Sequence, residues 1–229
     1  MKRILLLLTV CTFLFNAKAQ DSKGNDFWIM YPGNYGNIVL PMYITSDVNT
    51  SGTIQIPGSA ITIPFTVTAG VITTVTIPTS TEVQSSDVVT NKGIHITALN
   101  DITVYGFSYR TYTTDAMLAF PTDALGKDYT ILTYKNVNVV NGTQFGIVAA
   151  ELGTTTVTIT PKVTTGIRTA GVPYTISLTQ GQTYLLRNTV NAGDLTGSTV
   201  SADKNIAVFG SHQCSNIPNG STVACDYLV

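Results

Sequence analysis

Charge is what this sequence has least of. Only 11% of its 229 residues are Asp, Glu, Lys or Arg, and no basic run occurs anywhere. That excludes nucleic acid as a partner, since affinity for it rests on Lys and Arg neutralising phosphates. It also removes any electrostatic reason to sit on an anionic membrane. Histidine is nearly missing too, with His95 and His212 alone. No Gly-x-Ser-x-Gly elbow, His-Glu-x-x-His pair or Gly-rich phosphate loop appears, so the compact catalytic motifs are lacking. No stretch beyond the N-terminus shows a 3.6-residue apolar period, which argues against helices. Disorder is not the explanation, because it needs low hydrophobicity and high net charge together. Here 44% of residues are hydrophobic and the formal net charge is −1.

What is present begins with an export signal. Lys2 and Arg3 precede an apolar run, Ile4 to Phe15, and Ala17-Lys18-Ala19 before Gln20 has the small-x-small form of a cleavage site. The run is too short for a membrane-spanning helix, which wants about 20 apolar residues. Cys11 lies inside it, which disfavours a lipid anchor there. The expectation is a signal peptide over residues 1–19, no membrane span in the mature chain, and a secreted or cell-surface location. Cleavage removes Lys2, Arg3 and Lys18, leaving nine basic residues against thirteen acidic ones.

Two cysteines remain, Cys214 and Cys225. In an oxidising compartment the simplest reading is one disulfide, contributing about 3 kcal/mol for so short a loop. The alternative is a metal site built from His212, Cys214, Cys225 and Asp226. The secreted context favours the disulfide.

The most informative feature is an internal repeat. Gly24-Asn25-Asp26-Phe27-Trp28-Ile29-Met30 returns as Gly126-Lys127-Asp128-Tyr129-Thr130-Ile131-Leu132. The block from Gly93 to Gly106 returns as Gly197 to Gly210, and Thr53-Ile54-Gln55-Ile56 as Thr156-Val157-Thr158-Ile159. The boundaries that follow are 20–125 for one unit and 126–229 for the other. Within each unit the apolar period is two: Ile61, Ile63, Phe65 and Val67 alternate with Thr62, Pro64 and Thr66. That is the half-buried strand pattern, built from residues suited to a pleated surface. Turn residues punctuate it at short intervals. The strands fall near 27–31, 38–44, 53–56, 61–67, 72–77, 93–98 and 102–109, in the same order in the second unit. Seven short strands per hundred residues predict an all-β protein of two tandem β-sandwich-like repeats, mainly antiparallel. The last two read as a hairpin turning at Asn100-Asp101, and at Asp203-Lys204-Asn205 in the second unit.

The Gly-x-Asp-Phe-Trp opening, Lys92 to Ala98, Thr103-Val104-Tyr105-Gly106, Ala119 to Gly126, Val200 to His212 and Cys225-Asp226-Tyr227-Leu228 together resemble the N-terminal domain of the IgG Fc-binding protein family. The resemblance runs over most of the mature chain. It implies a secreted interaction module, of the kind found in mucus proteins and bacterial surface proteins. The signal ending in Ala-Gln and the Thr/Asn-rich strands suit a bacterial member. The implied partner is a protein or glycoprotein, mucin or immunoglobulin-like, and no cofactor is implied.

Each candidate site has a plainer reading beside it. His95, between Ile94 and Ile96, reads as a sheet-surface histidine. Asp115 and Asp123 are the nearest thing to paired carboxylates, which in a chain of thirteen acids arises by chance. Asp26 and Asp128 share a repeat position. They could ligate calcium, but capping a turn through backbone amides suits a Gly-x-Asp opening better. The strongest candidate is an aromatic stripe: Tyr105, Phe107 and Tyr109 on one strand face, with Arg110 and Tyr112 just beyond. Such a face stacks on sugars or anchors a protein. It would equally fill the seam between the units. The reading is a non-catalytic adhesion module. A structural spacer repeat is the alternative, and a carbohydrate-active enzyme is a distant third.

Overall fold

A computed structural model describes residues 21–36, 38–111, 113–135, 142–190, 193–218 and 226–229, the backbone alone for 226–228. The chain is all-β. Its strands are β1 (Gly24–Ile29), β2 (Tyr31–Pro32), β3 (Leu40–Thr45), β4 (Thr50–Ile56), β5 (Ile61–Val67), β6 (Thr73–Ile77), β7 (Glu82–Val83), β8 (Val88–Thr90), β9 (Ile94–Ser108) and β10 (Asp115–Leu118). There follow β11 (Gly126–Thr130), β12 (Gln144–Ala149), β13 (Thr154–Thr160), β14 (Tyr174–Thr179), β15 (Thr183–Arg187), β16 (Thr199–Ser215) and β17 (Asp226–Leu228). Helix is limited, among the described residues, to three single 3-10 turns, and no helix is long and apolar enough to cross a membrane.

Two antiparallel sheets repeat one plan. The first runs β5-β4-β9-β3-β6, with β1 and β10 also on β9. The second runs β14-β13-β16-β12-β15, with β11 and β17 on β16. The pairing order corresponds strand for strand. In each, one long strand serves two layers. The early part of β9 pairs with β4, from Gln55 opposite His95 to Gly52 opposite Ala98. Its later part pairs with β3, from Thr45 opposite Thr103 to Met42 opposite Gly106. A strand that changes layers at a bulge makes the corner of a sandwich. At the other side β5 and β6 approach, with the Thr73 hydroxyl donating to the Thr66 carbonyl at 2.8 Å. Each unit is thus nearly a closed barrel.

This corrects the expected hairpin. Asn100-Asp101 does not reverse the chain, because β9 is continuous across it. Two steps along β1, Gly24 to Asp26, are matched by five along β9, Ile102 to Thr97. The same slip occurs between Gly126/Asp128 and Ile206/Ser201. The polar residues read as a turn are the solvated outer side of a bulge. Turn formers suit both, since each needs residues that tolerate an interrupted ladder.

Three apolar clusters result. Phe27, Ile29, Met42, Ile54, Ile96 and Val104 belong to the core of the first unit. Phe145, Ile147, Ile159, Tyr184, Leu186 and Ile206 belong to that of the second. Between them Trp28, Met30 and Val83 pack on Val148, Ala150, Leu185 and Ala207, with Phe209 at the edge. Period two explains the division. Phe27 and Ile29 face inward, so Trp28 and Met30 must face the other way, toward the second sheet. Every residue of β12 is buried, because both of its faces are covered.

The chain between β7 and β9 crosses the junction. β8, which lies within 20–125, pairs with β15 of the second sheet, Val88 opposite Leu185 and Thr90 opposite Thr183. Gly93 meets Gly181 there backbone to backbone, its amide donating to the Gly181 carbonyl at 3.1 Å. A Cβ on Gly93 would lie 2.3 Å from that oxygen, so no larger residue fits without displacing the main chain.

Candidate functional site

Register places the aromatic stripe on the outside of the first sheet. Tyr43 lies opposite Tyr105, and Val39 bridges to Tyr109. Val104, between, points into the core and is wholly buried. Tyr105, Phe107 and Tyr109 therefore share the opposite face. Tyr105 is 41% exposed, Tyr109 52% and Val39 47%. Phe107 is half-buried and meets Tyr43 edge to face, centroids 4.6 Å apart. That geometry suits two ring quadrupoles. The Arg110 guanidinium lies over the Tyr35 ring, 5.2 Å from its centroid, and donates to the Tyr35 carbonyl. These contacts hold the end of the stripe in place. Tyr112 lies outside the described residues.

Tyr105, Phe107, Tyr109 and Arg110 are not part of the apolar cluster in the seam, where Trp28, Met30 and Leu185 do the filling. Phe209, which corresponds to Tyr105, is the exception that explains the rule: the same outward face of the second sheet is the one covered by the first unit.

The junction also carries polar groups that sequence reading did not find. The Gln144 amide donates to the Gly33 carbonyl at 2.7 Å and to the Ser211 hydroxyl at 2.9 Å. Arg187 donates to the Gln144 side chain at 2.7 Å and to the Gln84 carbonyl at 3.0 Å. The Glu82 carboxylate accepts the Asn34 amide at 2.6 Å. Burial raises its pKa, because the charged form is poorly solvated there. Asp87 is the main clasp. Arg168 donates to its two oxygens at 2.8–3.0 Å, and the Tyr184 hydroxyl donates at 2.6 Å. The Arg168 guanidinium also stacks 3.9 Å over the Tyr174 ring. Burial pushes the Tyr174 hydroxyl up to about 12 and that of Tyr184 higher still, so both stay protonated donors. Asp87 has φ of 58°, a left-handed backbone that Asp tolerates better than most residues. That local oddity is the signal sequence reading lacked.

The histidines and acids differ from the plain readings in detail. His95 does lie on the sheet, stacked 4.2 Å from Trp28 and 3.1 Å from the Asp26 carboxylate. Among the described residues the partners of Asp26 and Asp128 are side chains, not the backbone amides of a turn. Asp26 accepts the Thr122 hydroxyl and Asp128 the Ser201 hydroxyl at 2.6 Å. Each ties its opening strand to a neighbour. His212 is wholly buried, its Nδ1 accepting the Cys214 amide at 3.1 Å while Nε2 has no partner among the described residues. Burial, with the charge of Arg187 adding, lowers its pKa to about 4, so the ring is neutral. Cys214 is buried and not a free thiol. Cys225 lies outside the described residues. Among the described residues no group of three His, Cys, Asp or Glu side chains is placed to hold a metal ion.

Fold and face together define a class of protein: a β-scaffold of two like sheets, one of which carries an exposed aromatic face. The model of the IgGFc binding protein family matches residues 115–229, half of the chain, and the chain belongs to that family. The match takes in Ala119 to Gly126, Val200 to His212 and Cys225 to Leu228; the Gly-x-Asp-Phe-Trp opening and the motifs of β9 precede it. No curated protein and no solved structure matches the chain.

Proposed function

We propose that this chain is a non-catalytic adhesion module, exported past the leader at 1–19, that binds a protein or glycoprotein through the outer face of its first sheet. Two copies of one unit, 20–125 and 126–229, form the scaffold, with β8 of the first lent to the second. The observation that carries the reading is the exposure of Tyr105 and Tyr109 on a sheet face whose counterpart is buried. Aromatic rings supply large, rigid contact area at small entropic cost, which is why they dominate binding hot spots. Membership of a binding-domain family supports the same reading. A Cys214–Cys225 disulfide belongs to it as the clasp of the C-terminal loop.

The test is a glycan and glycoprotein array, mucins and immunoglobulins included, probed with residues 20–229. A hit should weaken at least tenfold in Tyr109→Ala with the melting temperature unchanged. A hit that survives this change and Tyr105→Ala at full strength contradicts the assignment of the face. The spacer reading is favoured by the packed junction, which suits a stiff rod. Binding to nothing on such an array is its expected result.

A further inference from the structure

Two arginines in this protein lie over tyrosine rings, and only one of them has its carboxylate. Arg168, over Tyr174, turns its Nε and Nη2 on Asp87 at 2.8–3.0 Å. Arg110, over Tyr35, uses Nη1 on the Tyr35 carbonyl. Its Nε–Nη2 edge has no hydrogen-bond partner among the described residues, and no carboxylate pairs with it there. The nearest acid along the chain, Asp115, is occupied. Its carboxylate accepts the Ala116 amide at 2.8 Å and the Val229 amide at 3.0 Å. The seat of Arg110 is nonetheless built, around the buried side chain of Asn34. The Asn34 amide nitrogen donates to the Ser108 hydroxyl at 2.9 Å and to the Thr113 carbonyl at 3.0 Å. Its amide oxygen accepts the Thr113 hydroxyl and the Tyr35 main-chain amide, each at 2.6 Å. One side chain thus ties the segment holding Tyr35 to the turn after Arg110, which the Thr113 amide closes on the Arg110 carbonyl at 3.0 Å. Gly36, at φ 89°, leaves the guanidinium its room: a Cβ there would lie 2.8 Å from its central carbon.

A guanidinium held in place with its fork unused is a receptor for a carboxylate or a tetrahedral oxyanion, which it takes bidentately. The rest of the face supplies rings and hydroxyls. Tyr35 lies against Arg110 and Tyr109 precedes it, with Tyr105, Thr45 and Thr103 further along. None of these is a second cation. That balance fits a sugar, which offers one charge among many hydroxyls and a C–H face for an aromatic ring. An acidic peptide fits less well, because its repeated charges would find a single partner. Building on the outer face as a binding surface, we infer that its ligand carries an acidic sugar. The carboxylate or sulfate of that sugar docks on the Nε–Nη2 edge of Arg110, and the adjoining sugar ring lies against Tyr109. Arg110 thereby completes with its ligand the pairing that Arg168 makes within the chain.

The probes are immobilised glycans in a matched set, N-acetyllactosamine bare, sialylated and sulfated, over which the protein from residue 20 to 229 is passed. At least one acidic member should bind roughly tenfold or more tightly than the bare one, and a preference between the two acids identifies the anion. Methyl-esterifying the sialic acid should remove its advantage. Arg110→Gln should do the same at unchanged melting temperature, and the two changes together should cost no more than either alone. Arg110→Lys, which keeps the charge but not the fork, should restore only part of the binding. No binding to the set overturns the inference, as does equal binding of bare and acidic glycans. So does an acidic preference that survives Arg110→Gln, or polyglutamate competing as well as free sialic acid. Glycan binding that needs Tyr105 and Tyr109 but ignores charge would sink the acidic sugar and leave the face standing. Binding indifferent to both rings would sink the face itself.

Discussion

One sheet face occurs twice in this molecule, once open and once covered, and its residues differ accordingly. On the first sheet it presents Tyr43, Thr45, Thr74, Thr103 and Tyr105; at the corresponding positions the second has Gly146, Val148, Leu185, Ala207 and Phe209. Three threonines face three aliphatics across the repeat. Where the face meets water, a β-branched hydroxyl keeps strand propensity without exposing hydrocarbon. Where it meets Trp28 and Met30, the hydroxyl would need a partner and is gone. Gly146 has its own reason: a Cβ there would lie 2.6 Å from the Met30 sulfur. The tyrosines break this pattern. An open face has no need of rings for folding, so Tyr105 and Tyr109 call for an explanation outside stability.

The sharpest break in the comparison should come from the covered face. Trp28 is 3% exposed, and Trp28→Ala should cost about 3–5 kcal/mol, the usual range for truncating a buried aromatic. Urea denaturation measures it, and a loss under about 1 kcal/mol would mean that the two units do not pack as one. A smaller effect distinguishes His212 from its counterpart Ser108. With the folded pKa near 4 and the ordinary value 6.5, the unfolded chain takes up the proton first as pH falls. Stability from this group is complete above about pH 6.5 and declines toward pH 4, by on the order of 2–3 kcal/mol. His212→Gln should flatten the melting temperature across that window, and a slope identical to wild type would assign it to other groups. The smallest effect belongs to the open face. Tyr105→Ala should change stability by less than about 0.5 kcal/mol, as surface substitutions do, and a larger loss would make the ring structural.

Much of this was legible beforehand, and the failures share a cause. Alternation alone put Val104 on one face of its strand and Tyr105, Phe107 and Tyr109 on the other; which of the two is open came only with the pairing and burial. The repeat gave two like sheets. Asn100-Asp101 misled, since sequence states that a ladder is interrupted there but not whether the chain turns back or bends on. Val88–Thr90 was passed over because three residues make no period. Trp28 and Met30 read as part of one unit's strand, and only pairing across units shows what they cover. The clasp at Asp87 joins residues about 80–100 positions apart, a distance over which no local pattern reports.

The crossing of β8 has a consequence for how such a chain can be cut or shuffled. Residues 126–229 taken alone would lose the strand that flanks β15 and leave a naked hydrogen-bonding rim. They would also strand Arg168 and Tyr184 without their carboxylate. The two sheets look alike but are not interchangeable parts. The later one inherits its finished border from the earlier, and the pair is the smallest portion that can travel.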